Sequence, residues 1–177
     1  MINYKQADRK LYLSHQNELK QLYLNAFTKG VSAQKITDSD AEYYLDAMFD
    51  VGYGIFAFNQ QQLIATLIAT PLDFDKDCPT PILEQFNNKH TLYITELLVD
   101  ENFRGKGLGK QLLQFFESNL NADINQVLLR VWEKNEAAVK LYEKAGFTNC
   151  GTITQEKVRP QTNEKFTMYK NYMLKLI

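Results

Sequence analysis

One short segment, in which an apolar strand leads into a glycine-rich turn and then a helix, most constrains the fold of this chain. The predicted strand runs from Leu92 to Val99, and an amphipathic helix follows the turn. Glycines let a ligand approach the backbone closely, and a helix start presents unpaired N–H groups and the positive end of its dipole. With Arg104, Lys106 and Lys110 in the same turn, the segment predicts either a phosphate site or a plain connection between strand and helix.

The spacing of the turn excludes two familiar phosphate-binding loops. A P-loop has Ser or Thr after its lysine, whereas Gln111 follows Lys110 here. The dinucleotide fingerprint needs a third glycine after Gly105 and Gly107, at the position where this chain has lysine. What remains is an Arg-x-x-Gly-x-Gly pattern between a strand and a helix.

Length and composition predict one domain that spans residues 1–177. The chain has 177 residues, 45% of them hydrophobic, which is enough for a sizeable core. Its formal net charge of −1 gives no general attraction for nucleic acid. No stretch approaches the roughly 18 apolar residues of a membrane span, and the first residues lack the apolar run of a signal peptide. We therefore expect neither a nucleic-acid nor a membrane partner.

The cysteines predict a cytoplasmic location, and the histidines argue against a dedicated metal site. Cys78 and Cys150 form no disulfide framework, so free thiols in a reducing cytoplasm are expected. His15 and His90 have no second ligand at metal-binding spacing, so no metal site is expected.

Hydrophobic periodicity predicts a mixed α/β chain with a largely antiparallel first half and a strand–helix–strand crossover in the middle. The predicted strands are 2–7, 55–58, 63–69, 92–99, 127–132, 147–154 and 166–176. The predicted helices are one from Ser14 to Gly30, one from Thr37 or Asp38, one from Leu108 to Leu120, and one over 136–145. Aromatic residues near the second helix, Tyr44 among them, either line a pocket or pack in the core.

A second informative segment joins a strand end to a capped helix. Asn135 suits the N-cap position, and Gly146 supplies the left-handed conformation that ends the helix. Leu141 and Tyr142 share its inner face with Ala138. Taken alone, this is a well-formed helix with a tyrosine in the core.

Together the two segments resemble the GNAT superfamily of acyl-CoA-dependent N-acetyltransferases. The resemblance covers Leu92 to Phe147 and rests on both motifs in this order. Within the superfamily, residues 131–136 and the strand that leads into them resemble those of small polyamine-type members. The resemblance to the superfamily implies an α/β (α+β) fold with a mixed, mostly antiparallel central sheet of about six to seven strands, flanked by about four helices.

The resemblance also implies acetyl-CoA as cofactor and assigns residues to it. The backbone of Leu97, Leu98 and Val99 would hold pantetheine, and the N–H of Leu97 or Leu98 would polarise the thioester carbonyl. Asn135 would contact the pantetheine arm, and Tyr142 would donate a proton to the departing thiolate. The pyrophosphate would be wrapped by the turn, namely Arg104, Gly105, Lys106, Gly107, Leu108, Gly109 and Lys110.

The general base is less well defined. Polyamine-type members carry a carboxylate at the position of Thr95, whereas this chain has Glu96 next to it. Neighbouring strand residues point to opposite faces, so Glu96 serves as base only if the β-bulge usual in the family re-aims it. Otherwise Glu96 is structural, and Tyr93 or water accepts the proton.

The loop 72–90 and the last strand bear on partners. The loop holds Asp73, Asp75, Asp77 and Glu84 against Lys76 and Lys89, so it either attracts a cationic acceptor or is an ordinary solvated loop. We expect a monomer or a homodimer, the latter through pairing of the last strand, 166–176, across an edge.

These observations predict an enzyme that transfers acetyl groups by direct attack in a ternary complex. The expected acceptor is a small-molecule primary amine, polyamine-like or otherwise cationic. The alternatives are an acyl-CoA sensor or scaffold without catalysis, and a protein N-terminal or lysine acetyltransferase.

Overall fold

A computed structural model describes residues 1–177 and shows a mixed α/β fold built on one sheet. The strands are β1 (Ile2–Ala7), β2 (Tyr53–Asn59), β3 (Gln62–Pro71), β4 (Thr91–Val99), β5 (Gln126–Trp132), β6 (Thr148–Val158) and β7 (Lys165–Leu176). The helices are α1 (Arg9–Ser14), α2 (Gln16–Phe27), α3 (Asp38–Val51), α4 (Thr80–Leu83), α5 (Leu108–Ser118) and α6 (Glu136–Lys144). Two 3₁₀ turns lie at Leu72–Phe74 and Glu101–Phe103. None of the helices is both long and apolar enough to cross a membrane.

The seven strands are ordered β1-β2-β3-β4-β5-β7-β6. Every neighbouring pair is antiparallel except β4 and β5, which run parallel because α5 makes the crossover between them. The predicted mixed, mostly antiparallel sheet is therefore confirmed. The helices outnumber the four expected, because α1 precedes the helix predicted from Ser14, which corresponds to α2, and because the loop 72–90 contains the short α4.

The first helical region differs from its prediction at both ends. The Ser14 hydroxyl donates to the carbonyl of Leu11, so it does not cap the next helix, and His15 is the junction between α1 and α2. α2 ends at Phe27 with Thr28 as its C-cap, before Gly30. The start of α3 is confirmed, since Thr37 forms a reciprocal capping box with Asp40.

The last strand is not at an edge, so the expected dimer edge at 166–176 is wrong. β7 pairs with β5 on one side and with β6 on the other. The β6–β7 hairpin folds back so that β7 lies between β5 and β6. The edges of the sheet are β1 and β6.

Both faces of the sheet are covered, as the near-continuous apolar strands β2 and β3 predicted. One face packs against α5 and α6, with Leu112, Phe116 and Leu129 in its core. The other packs against α1, α2 and α3. A smaller cluster around Tyr93 and Tyr172 lies on this second face, beneath the loop 72–90.

Candidate active site

The sheet opens between β4 and β5, and this opening organises the candidate site. The two strands pair only over Thr91–Ile94 and Gln126–Leu129. Beyond that point β4 stays paired with β3, and β5 stays paired with β7. The stretch of β4 that contains Leu97, Leu98 and Val99 therefore has a strand partner on one side only. Its other side faces the gap with free backbone hydrogen-bonding capacity.

The glycine turn lies at the end of this free edge and presents unpaired amides. None of the amides from Gly105 to Lys110 donates a backbone hydrogen bond; the first to do so is that of Gln111, to the carbonyl of Gly107. Gly105 and Gly107 adopt positive φ angles of 73° and 77°, a conformation that favours glycine. The arrangement suits an anion, because consecutive N–H groups converge at the positive end of α5.

The side chains of the turn divide into solvent-facing and packed groups. Arg104 donates from Nε to the carbonyl of Val99 at 3.1 Å, which holds its guanidinium beside the end of β4. Lys106 donates to the carbonyl of Asn102 and lies over the ring of Phe103, and Lys110 is exposed. The side chain of Leu108 is buried in the core, so only its backbone can reach a ligand.

Gly109 is explained by packing. A Cβ atom at this position would lie 2.9 Å from a methyl group of Leu141 and 3.5 Å from one of Leu97. The glycine lets the start of α5 approach both α6 and β4.

Asn135 and Tyr142 lie on α6 at the same opening. The side chain of Asn135 caps α6 by accepting from the amide of Ala138 at 3.3 Å. Tyr142 is 7% exposed and contacts the ring of Phe147 edge to face. Burial raises the pKa of Tyr142 above its usual value, and the nearby Glu96 carboxylate raises it further. The phenol is therefore protonated at neutral pH, as a proton donor must be.

A β-bulge sets the direction of Glu96. On β3, Ile68 pairs with Glu96 and Ala69 with Ile94, so Thr95 is the extra residue. Its hydroxyl donates to the carbonyl of Ile68 at 3.0 Å. The extra residue reverses the alternation of β4, so that Glu96 shares the face of α1, α2 and α3 with Leu98. The bulge expected from the resemblance is therefore present.

Glu96 is a buried carboxyl group with unusual acidity. It is 9% exposed, and burial raises its pKa to about 8, although the positive charges of Lys170, Arg130 and Lys157 oppose the shift. Burial raises the pKa of Tyr23 and Tyr44, which face Glu96 from α2 and α3, and the charge of Glu96 raises the pKa of both further. A carboxyl with a pKa near neutrality is suited to exchanging protons with a substrate.

These groups share one cavity of about 630 Å³. Its walls come from β4, β5, the two long helices α2 and α3, α6, and the β6–β7 hairpin. Glu96, Leu97, Asn135 and Tyr142 all line it, whereas the turn from Arg104 to Lys110 lies outside it, beside the end of β4.

Of the residues that line the cavity and that sequence reasoning did not assign to the site, four are ionisable and interact electrostatically with Glu96. They are Tyr23, Arg130, Lys157 and Lys170. Strand alternation places Lys157 and Lys170 on one face of the final hairpin, but no local pattern shows that this face closes over Glu96. Tyr44, considered above for a pocket or the core, lines the cavity and also packs against Phe74.

Two of the four acidic residues of the loop 72–90, Asp75 and Asp77, are paired with Arg130. The buried carboxylate of Asp75 accepts from Arg130 at 3.1 Å and from the Tyr172 hydroxyl at 2.8 Å. Asp77 accepts from the same guanidinium and from the amide of Gln155. These two carboxylates thus belong to an ion-pair cluster on the hairpin side of the cavity, whereas Asp73 and Glu84 are exposed.

Comparison with known proteins agrees with this geometry. The sequence profile of the Acetyltransferase (GNAT) family matches residues 17–147. A spermine/spermidine N(1)-acetyltransferase of Bacillus subtilis is 30% identical over 76 residues, which cover 41% of this chain and 49% of that protein. The chain thus spans about half the length of the curated relatives it matches.

Solved structures share the fold over the whole chain. The Salmonella typhimurium protein yncA, solved with its cofactor acetyl-CoA, has a TM-score of 0.71 and 13% identity, covering 99% of this chain and 94% of that one. The ribosomal-protein-alanine N-acetyltransferase of Brucella melitensis has a TM-score of 0.69 and 17% identity, covering 100% and 99%. At such identities these likenesses show the fold alone. The profile match, which covers most of the chain, shows that this protein belongs to the GNAT family of acetyltransferases.

Proposed function

We propose that residues 1–177 form one N-acetyltransferase domain that transfers the acetyl group of acetyl-CoA to a primary amine of a small molecule. The observation that supports this most is the opening between β4 and β5. Free amides lie at its end, and a carboxyl with a pKa of about 8 lies inside it. A cytoplasmic location is part of the same proposal.

The cofactor would lie along the free edge of β4 and end at the turn. Pantetheine would pair with the backbone of Leu97, Leu98 and Val99, as an added strand would. Amides from Gly105 to Lys110 would bind the pyrophosphate, helped by the charges of Arg104, Lys106 and Lys110. Asn135 lies where the pantetheine arm would pass α6.

The chemical step needs one proton acceptor and one proton donor. The amine loses a proton and attacks the thioester carbonyl carbon, and the carbonyl oxygen takes up negative charge that an amide of Leu97 or Leu98 would stabilise. The C–S bond then breaks, and Tyr142 gives its proton to the departing thiolate. The raised pKa of Tyr142 makes this transfer less favourable than it would be for a solvated phenol, which fits donation late in bond breaking.

Glu96 is the base that the site favours, directly or through water. Its pKa of about 8 leaves part of the carboxyl ionised at neutral pH and strong enough to take the proton of an amine. Tyr93, the other candidate, is buried, and its pKa lies well above 10, so it remains protonated.

A protein acceptor is the second candidate. The Brucella neighbour is named for a ribosomal-protein alanine, whereas the Bacillus relative is named for spermine and spermidine. We favour a small molecule because the cavity closes on Glu96 from both the α2–α3 side and the hairpin side. An acyl-CoA sensor without catalysis would need neither Glu96 nor Tyr142 in the opening.

Calorimetric titration with acetyl-CoA and with CoA tests the cofactor site. We expect micromolar binding that weakens about tenfold or more in Arg104→Ala, because a charge-assisted contact is lost. Lys89→Ala, which removes the same charge from an exposed loop, is the control.

The outcomes separate the alternatives. Binding followed by CoA release in the presence of an amine supports an enzyme. Binding without release for any amine in a broad panel indicates a sensor, and the absence of binding to either nucleotide contradicts the proposal as a whole.

A further inference from the structure

Two lysines of the β6–β7 hairpin line the cavity without partners. Lys157 and Lys170 are partly buried and lie on the hairpin face that also carries Gln155, Met168 and Tyr172. Neither ammonium group forms an ion pair or a hydrogen bond. Burial lowers the pKa of both lysines, that of Lys170 to about 8, and the charge of Arg130 lowers them further.

The carboxylates that line the cavity are committed elsewhere. Asp77 is paired with Arg130, Glu156 with Lys165, and Asp40 caps α3 through Thr37. Glu96 remains, and with a pKa of about 8 it is mostly protonated at neutral pH. Two other cationic residues belong to the wall. Arg130 is paired with Asp75 and Asp77, and Lys35 is exposed and donates to Asn163. Lys157 and Lys170 are therefore the cations of the cavity wall that are partly buried and have no ion-pair partner.

An unpaired ammonium group in a partly buried site is costly, since it loses hydration without gaining a counter-ion. An exposed lysine would avoid that cost by extending into solvent. Here two such groups line the same wall beside the base. A ligand anion would pair with both and restore the lost interactions.

We propose that the acetyl acceptor carries an anionic group, a carboxylate or a phosphate, besides its primary amine, and that Lys157 and Lys170 bind this anion. The proposal rests on the acetyl transfer proposed above and narrows its acceptor. The amine would then face Glu96 and the thioester, while the anion faces the hairpin. A polyamine fits less well, because its further ammonium groups would meet Lys157, Lys170 and Arg130.

Matched amine pairs that differ only in the anion test the proposal. The carboxylate pairs are leucine with leucinamide and 4-aminobutyrate with its amide. The phosphate pair is glucosamine 6-phosphate with glucosamine, and spermidine is the cationic comparison. Each is assayed twice, by CoA release from acetyl-CoA and by calorimetric binding to the CoA-loaded protein, which reports the subsite even if transfer fails.

In at least one pair, the anionic member should have a kcat/KM and an affinity about tenfold or more above its uncharged partner. Which pair does so distinguishes carboxylate from phosphate. In Lys170→Met and Lys157→Met, KM for the anionic member should rise about tenfold, while KM for the uncharged member should stay the same. Because the lost charge no longer opposes the raised pKa of Glu96, kcat should fall for both members, so KM is the quantity that tests the anion site. Lys10→Met removes an equal charge from an exposed site on α1 that does not line the cavity and should change neither.

Three results would overturn the proposal. These are equal or absent binding of both members in every pair, a preference for spermidine, and an equal change in KM for both members in the lysine variants. The last would mean that the lysines are structural. If acetyl-CoA turns over with an uncharged amine while no pair discriminates, the anion site is wrong and the acetyl transfer stands.

Discussion

At the scale of single residues, the proposed chemistry of the site depends on which face of β4 carries Glu96. Thr95 occupies the bulge, and its hydroxyl donates a hydrogen bond to the carbonyl of Ile68. Without the bulge, strict alternation would place Glu96 on the face of α5 and α6. With it, Glu96 faces the cavity beside Tyr23 and Tyr44, where burial raises its pKa.

Replacing Glu96 by glutamine should lower kcat/KM about 100-fold, because the amide keeps the shape but cannot accept a proton. Acetyl-CoA affinity should not change. In the wild type, kcat/KM should rise as the pH passes through about 8, where the Glu96 carboxyl loses its proton. The resulting bend in the pH dependence of kcat/KM should be absent from Glu96→Gln and present in the exposed control Glu84→Gln. A bend that persists in Glu96→Gln would show that another group is the base.

Replacing Tyr142 by phenylalanine should lower kcat about tenfold to 100-fold while leaving the Kd of acetyl-CoA nearly unchanged. The lost hydroxyl acts on the departing thiolate rather than on the bound cofactor. Tyr169→Phe, a hydroxyl deletion on the outer face of β7 at a half-exposed residue, is the matched control. Unchanged turnover against an amine with full activity in the wild type would exclude the proton-donor role.

Some residues of the candidate site could be identified from the sequence and others could not, because only some of them depend on local structure. Glu96, Asn135 and Tyr142 each stand within a few residues of a recognisable motif, so a local pattern located them. The orientation of Glu96 depends on a single extra residue, which hydrophobic alternation does not reveal. Lys157 and Lys170 reach the site only through the pairing of β6 with β7 and the closure of that hairpin, which are long-range events.

At the scale of elements, the divergence of β4 from β5 produces the site. β4 must pair with β5 at its start and release it after Ile94, so that its remaining edge stays free. The strand–turn–helix order of β4 and α5 could be predicted, because each has a clear period and the turn has its glycines. The position of β7 could not, because an interior strand and an edge strand have the same sequence pattern when both faces are partly covered.

Two glycines near the ends of α2 and α3 should differ in how much stability the protein loses when each is replaced by alanine. A Cβ atom at Gly52 would lie 2.2 Å from the carbonyl oxygen of Ala69, where α3 ends against β3. One at Gly30 would meet no atom within 4 Å, although its φ of +73° is unfavourable for alanine. Gly52→Ala should therefore destabilise the fold by about 3 kcal/mol or more, and Gly30→Ala by about 1 kcal/mol.

Urea unfolding of the two variants, followed by circular dichroism, measures this difference. Equal losses, or a larger loss for Gly30→Ala, would show that α3 does not approach β3 as closely as the structure has it.

At the scale of the whole molecule, the candidate site passes through the sheet rather than lying on one side of it. α5 and α6 approach the opening from one face, and α2, α3 and the β6–β7 hairpin from the other. The proposed cofactor and acceptor would thus enter from opposite faces and meet at the gap. The carboxyl of Glu96, which is buried at that meeting point, should lower the free energy of unfolding when it is ionised.

Glu96 should make the stability of the protein depend on pH. Its pKa is about 8 in the folded state and about 4.5 when solvated, so the folded state holds the extra proton between these values. The free energy of unfolding should fall as the pH rises through this window, by on the order of 2–4 kcal/mol. Glu96→Gln lacks this titration. Lys170 titrates in both proteins, so the difference between them reports Glu96.

Thermal melting from pH 5 to pH 9 tests this linkage. The melting temperature of Glu96→Gln relative to wild type should increase steadily up to about pH 8 and then level off. A constant difference across the range would mean that Glu96 is solvated in the folded protein.

Amide hydrogen exchange with and without acetyl-CoA tests the central claim most directly, because the account assigns cofactor binding to backbone groups that have no partner in the free protein. Acetyl-CoA should slow exchange at the amides of β4 that point into the gap, within residues 95–99, and in the turn, residues 105–110, whose amides are unpaired. The paired strands β1 and β2 on the far side of the sheet should exchange at the same rate in both samples. Unchanged exchange at 105–110 in the presence of saturating acetyl-CoA would contradict the account.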